Sequence, residues 1–183
     1  RGILIKGGDA LERLSRPGVI LFDKTGTLTQ GRTELLRWLG DTSVQPWVVA
    51  AERGSSHPIA RAVVAALDVP APASTAALAR VRQTTGGGVE AEVDGHALLV
   101  GSPAWVAGRL DQHEVAAHPF VAELTGHGQT PVLVAVDGRV LAAAGFGDPL
   151  RPEAASCVRD LQALGYEVRI LSGDHPSVVT EVG

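Results

Sequence analysis

Two Asp-Gly pairs constrain this chain more than any other feature. Asp94-Gly95 lies between the runs 89–93 and 96–100, and Asp137-Gly138 lies between 132–136 and 139–143. Asp-Gly favours the type I′ turn, whose twist matches that of paired antiparallel strands. The middle of the chain is therefore predicted to fold as two hairpins in an antiparallel sheet. Helical spacing surrounds them. Val44, Trp47, Val48 and Ala51 recur at i, i+3, i+4 and i+7. Ser56 is placed to cap a second helix, with Pro58 in its first turn and Ile59, Val63 and Leu67 along one face. Residues 103–110 and 115–124 also read as helices, and 69–73 as a Pro/Ala-rich loop.

The two ends have a different style. Residues 19–22 are four apolar positions bounded by Pro17-Gly18 and Asp23-Lys24-Thr25-Gly26, which suits a buried parallel strand. A short helix is expected before it, at 9–14. Near the other end, Pro152 opens a helix carrying Val158, Leu161 and Leu164 and closed by Gly165. Residues 166–171 then read as a strand, with Ser172-Gly173-Asp174 as its exit turn. Helix, strand and loop in that order make one step of a parallel α/β sheet. The expected fold is an incomplete, Rossmann-like α/β domain built from 1–31 and 144–183. An α+β antiparallel unit, 32–143, is inserted into it. Asp23 and Ser172 then lie at the carboxyl edge of parallel strands, where open α/β sheets bind ligands.

Composition narrows the partners. Sixteen basic residues face 20 acidic ones without clustering, for a formal charge of -4, which argues against nucleic acid. The single cysteine, Cys157, excludes an internal disulfide and suits a reducing compartment. Its place on a helix face reads as packing. Trp38, Trp47 and Trp105 read as core, and His96, His113, His118 and His127 as structural or solvated. No apolar run approaches the ~20 residues that cross a bilayer, so a soluble piece is expected. The opening at Arg1, with no arginine-rich leader, and the stop at Gly183 read as cuts from a longer chain.

The segment Asp23-Lys24-Thr25-Gly26-Thr27-Leu28-Thr29 carries the chemistry. A carboxylate at a strand end can attack phosphorus and form an acyl phosphate. The turn after it offers N–H groups and hydroxyls to phosphate oxygens, and Gly26 permits close approach. A hard cation such as Mg²⁺ offsets repulsion between carboxylate and phosphate. This heptapeptide resembles the signature of P-type ATPases, whose phosphorylation domain is similar to haloacid dehalogenase-like phosphatases. The resemblance implies a catalytic set of Asp23, Lys24, Thr25, Ser172 and Asp174. Asp23 is then the phosphorylated residue, and Asp23 and the Thr25 carbonyl are Mg²⁺ donors. Ser172 holds the transferred phosphate, and Asp174 approaches the nucleotide. Ser172-Gly173-Asp174-His175 stands where the family has Thr-Gly-Asp-Asn. Asp148-Pro149-Leu150-Arg151 is similar to its Asp-x-x-Arg re-entry segment.

The nucleotide zone resembles that of heavy-metal (type IB) pumps. Glu52 and His57, with Ser56-His57-Pro58-Ile59-Ala60, look like the family's adenine pocket. Gly86 and Gly88, in Gly86-Gly87-Gly88-Val89, resemble its glycine loop, and Gly101 a later glycine after which Asn is common. The opening run 2–8 looks like the junction where such pumps leave the membrane. The resemblance implies ATP and Mg²⁺ as cofactors and a membrane domain of the same polypeptide as partner. It also implies a transported heavy-metal ion, with copper favoured, and a place on the cytoplasmic face of a membrane. The later acidic loop that completes the family's Mg²⁺ site is missing, so this piece is expected to bind ATP and phosphorylate poorly. Two alternatives stay open: a soluble phosphatase using the same Asp, and a non-catalytic nucleotide-binding module. Such phosphatases place a second Asp two residues after the nucleophile, where this chain has Thr25.

Overall fold

The computed structural model describes residues 9, 12, 16–67, 78–110, 115 and 118–171. Two sheets organise it. Strand β1, Val19–Asp23, pairs parallel with the last strand, β8, Glu167–Leu171, with Val19 opposite Glu167 and Asp23 opposite Leu171. Both predicted parallel strands are therefore present and neighbouring, but β1 is not buried as expected: Val19 and Leu21 are more than half exposed, while Ile20 and Phe22 are half-buried. Helix α5, Ala154–Ala163, precedes β8, and Gly165 closes it with a φ of +88°.

Among the described residues, the other strands form the second sheet. It has six antiparallel strands in the order β2-β7-β6-β5-β4-β3. They are β2 Glu34–Gly40, β3 Ala79–Thr84, β4 Gly88–Val93, β5 His96–Gly101, β6 Thr130–Val136 and β7 Arg139–Gly147. Both Asp-Gly hairpins are there, joining β4 to β5 and β6 to β7. Asp94 and Gly95 have φ of +52° and +84°, and Asp137 and Gly138 have +47° and +83°. Positive φ at both central residues is what type I′ demands. Strands β2 and β3 were not among the expected elements, and β7 runs past 143 to Gly147.

Helices cover both faces of this sheet. On one face lie α1, Gln45–Glu52, and α2, Pro58–Ala66. Val48 and Val63 there meet Val89, Val93, Leu98, Val134 and Phe146 in one core. On the other face, Val106 of α3, Pro103–Ala107, and Leu124 of α4, Pro119–Gly126, meet Leu133, Ala135 and Ala143. Double coverage explains why β6 is buried from Val132 to Val136 without alternation. The alanines at 142–144 keep β7 thin, so both helix layers approach closely.

Three local expectations are corrected. Helix α2 is capped by His57, not Ser56: the His57 Nδ1 accepts from the Ile59 N–H at 3.3 Å. Cys157 is exposed, because α5 turns that face away from β8. The tryptophans sit half-buried at core rims rather than inside, with Trp47 stacked on His96 at 5.2 Å. The histidine reading holds where it is described. His118 caps α4 through Phe120 N–H, and His127 Nδ1 lies 2.8 Å from the Glu123 carbonyl. His113, the helix at 9–14 apart from Asp9 and Glu12, the loop at 69–73 and the run 2–8 lie outside the described residues.

Candidate phosphoryl-transfer site

The chain leaves β1 at Asp23, whose backbone is still extended, and winds Lys24–Leu28 into one wide turn. The Thr29 N–H closes it onto the Lys24 carbonyl at 3.1 Å, and Gly26 takes a φ of +77° at its apex. Lys24 and Leu28 are buried beneath the turn, while Asp23 and Thr25 are exposed. An exposed carboxylate at the carboxyl end of a parallel strand can meet a substrate without local unfolding.

A segment more than a hundred residues away clasps this turn. The Arg151 side chain donates from Nε to the Thr27 carbonyl at 3.0 Å and from Nη2 to the Gly26 carbonyl at 3.1 Å. Its backbone N–H reaches the Leu28 carbonyl at 2.8 Å. Asp148 holds the exit. Its Oδ2 accepts from the Thr29 hydroxyl at 2.5 Å, and its Oδ1 from the N–H groups of Gly31 and Arg32 at 2.9 and 3.2 Å. Thr29 is 2% exposed and also accepts from the Gly26 N–H at 3.0 Å. The turn is thus pinned from both crossings between the two sheets. Asp148→Ala is expected to cost about 2 kcal/mol, since three donors lose one charged acceptor. Chemical denaturation checks this, and Asp148→Asn should recover part of the loss. An unchanged midpoint would remove Asp148 from the clasp.

The loop's oxygens also test its fit to Mg²⁺. The carbonyls of Lys24, Gly26, Thr27 and Leu28 accept the bonds just given. The Asp23 carboxylate and the Thr25 carbonyl are hard oxygen donors on one turn, the chemistry Mg²⁺ prefers. Among the described residues no cluster of three His, Cys, Asp or Glu could hold an ion unaided.

The nucleotide-zone residues fall on the six-stranded unit. Glu52 ends α1 and is 6% exposed, and burial pushes its carboxyl up from 4.5 to about 7. His57 is exposed at the start of α2. With Nδ1 accepting, the neutral ring carries its proton on Nε2, which becomes the available donor. Gly86, with a φ of +73° and open space where a Cβ would stand, shapes the β3–β4 turn. Gly88 pairs directly with Gly101 across β4 and β5. Ser172 and Asp174 lie outside the described residues. A cleft of about 650 Å³ opens between the first crossing and α2, beside Arg32, Leu35, Arg61 and Ala62.

Sequence reasoning missed two parts of this arrangement. The bond from Thr29 to Asp148 joins residues too far apart for any local pattern. Trp105 packs on the glycine turn; glycines at facing ends of β4 and β5, followed by a helix with one tryptophan, were the available signal.

Comparison with known proteins adds the ancestry. Residues 17–183 match the family described as haloacid dehalogenase-like hydrolase. A manganese-exporting P-type ATPase of Mycobacterium leprae is 37% identical over 199 residues, covering 100% of this chain and 27% of that protein. A probable copper-transporting ATPase of Synechococcus is 39% identical over 182 residues, covering 95% of this chain and 21% of the relative. A crystal structure of a zinc-transporting PIB-type ATPase in its E2.Pi state superposes with a TM-score of 0.78 at 36% identity, over 100% of this chain and 30% of that one. The chain therefore spans about a quarter of the length of the curated relatives it matches. Among the described residues no helix is long and apolar enough to cross a membrane.

Proposed function

Because this chain belongs to the haloacid dehalogenase-like hydrolase family, we propose that it is the nucleotide-binding and phosphorylation portion of a heavy-metal P-type ATPase. One observation carries the reading: Asp23 is exposed at the carboxyl end of a parallel strand, on a turn clasped by Asp148 and Arg151. Residues 1–31 and 144–183 form the phosphorylation domain and 32–143 the inserted nucleotide-binding domain. Strand β7 continues from that insert into the return crossing.

ATP docks on the inserted unit through Glu52, His57, Gly86, Gly88 and Gly101. Closure brings its terminal phosphate to Asp23. A carboxylate oxygen of Asp23 forms a bond to the γ-phosphorus as the bond to the β,γ-bridging oxygen breaks, and ADP leaves with that electron pair. Lys24 lies beside the nucleophile, while the Thr25 side chain and the Ser172 hydroxyl hold the transferred group. The family resemblance assigns Asp174 to the nucleotide. Mg²⁺, held by Asp23 and the Thr25 carbonyl, supplies charge neutralisation between carboxylate and phosphate. In the whole protein the acyl phosphate drives a membrane domain of the same polypeptide, with this portion on the cytoplasmic face. Thr25, in place of an acid/base carboxylate, favours a persistent phosphoenzyme over a phosphatase cycle.

The transported ion is a heavy metal. Copper, the expectation from resemblance, has no advantage here, because the relatives are named for manganese, copper and zinc at similar identity. Nucleotide binding is the direct test. Calorimetry should detect ATP binding to the chain, and His57→Gln should weaken it by about tenfold, the worth of one good polar contact. Thermal unfolding run in parallel separates the loss of the α2 cap. An affinity unaltered by the substitution would remove His57 from the pocket, and no binding at all would overturn the reading.

A further inference from the structure

Three glycines surround one indole. A Cβ on Gly87 would stand 2.2 Å from Trp105 Cδ1 and 2.6 Å from its Nε1. A Cβ on Gly88 would stand 2.9 Å from Trp105 Cε3, and one on Gly101 2.5 Å from the same atom. None of these three needs a positive φ; that belongs to Gly86. Their lack of a side chain is explained by the ring pressed against their backbone, which replaces contacts a Cβ would make.

The ring is also held by a cation. The Arg109 guanidinium carbon lies 3.9 Å from the ring centroid, and Arg109 is ion-paired to Glu90 of β4. Arg109 also donates to the Trp105 carbonyl at 3.3 Å. The Ser102 N–H donates to the Gly87 carbonyl at 3.0 Å, and the Ser102 hydroxyl accepts from the Trp105 N–H at 3.4 Å. Glycine backbone, indole and guanidinium pack together, tied to β4 through Glu90 and to the turn before it through Ser102 and Gly87. Among the described residues the buried indole Nε1 has no hydrogen-bond partner, so the contacts that place this ring are those of its carbon framework.

We propose that Trp105 is a positioning residue for nucleotide binding: it fixes the backbone of residues 86–88 against Gly101 in the geometry that receives the nucleotide. This rests on the reading that Gly86, Gly88 and Gly101 meet the nucleotide. Trp105 acts through them and needs no contact of its own. A glycine turn left unsupported samples many conformations, and binding must then select one. The indole removes that cost in advance.

The test is a double-mutant cycle on the full chain, read by ATP calorimetry with thermal unfolding alongside. Trp105→Leu is expected to weaken ATP by about tenfold, within the range that loss of positioning produces. Trp105→Phe keeps a flat ring on the glycines and should stay within about twofold of the wild-type affinity. Gly87→Ala should also cost about tenfold while Trp105 is present, because its methyl collides with the ring. In the Trp105→Leu background the same alanine should cost little, so the two effects are strongly non-additive. Additive losses, or unchanged affinity in Trp105→Leu with wild-type binding and the His57→Gln effect intact, would overturn the positioning role. A wild-type chain that binds no ATP would instead sink the nucleotide reading beneath it.

Discussion

On the proposed reading, Asp23→Asn should eliminate the phosphoenzyme of a full-length pump that carries this portion. Wild-type protein given γ-labelled ATP is expected to hold label through an acid quench and release it to hydroxylamine, as an acyl phosphate does. The asparagine variant should fall to background, a loss of about three orders of magnitude or more. An amide is neither charged nor nucleophilic enough to attack phosphorus. Asp23 is exposed and stands at a strand end, so the exchange should leave stability within about 0.5 kcal/mol. Nucleotide affinity should also persist, because the proposed pocket lies on the other sheet. Label retained by the variant would place the chemistry on another residue and remove the central claim.

The second large effect concerns stability and pH. Glu52 is 6% exposed, and burial raises its carboxyl from 4.5 to about 7. Between those values the folded protein keeps a proton that the unfolded chain has released. Stability therefore falls as pH rises through this window, and the full cost is present above about pH 7. The gap corresponds to about 3 kcal/mol. Glu52→Gln keeps the shape without the charge. It should stabilise the chain by about 2–3 kcal/mol at pH 8, or roughly 5–10 °C in melting temperature, and by little at pH 4. Melting curves across that range give the answer; a gain that does not vary with pH would show that ionisation is not the source. On the proposed reading, a carboxyl kept at such a disadvantage fits the trade of stability for binding.

What could be read from the sequence divides along physical lines. The hairpin turns were legible because Asp94-Gly95 and Asp137-Gly138 specify their φ values locally. Strands β1 and β8 were legible from short apolar runs bounded by turn residues. Strand β2 was hidden by a bulge between Leu35 and Arg37, which breaks the two-residue alternation. Strand β3 is an edge strand with almost every side chain exposed, so it has no apolar face to read. The cap on α2 was misread because an imidazole does what a serine more often does. At the site, the nucleophile and its turn were visible in one heptapeptide. The support from Thr29, Asp148 and Arg151 joins residues over a hundred positions apart, and Trp105 acts on its glycines across two strands. Only folding brings those groups together.

Strands β2 and β7 lie side by side, with Glu34 opposite Gly147. The polypeptide thus leaves the parallel sheet and comes back to it at neighbouring points. A body joined by one thread can tumble in any direction. One joined by two adjacent threads is restricted to swinging about the line through both. On the proposed reading, bound ATP reaches Asp23 along a single arc, and much of the orientational search is already removed by the chain's own path.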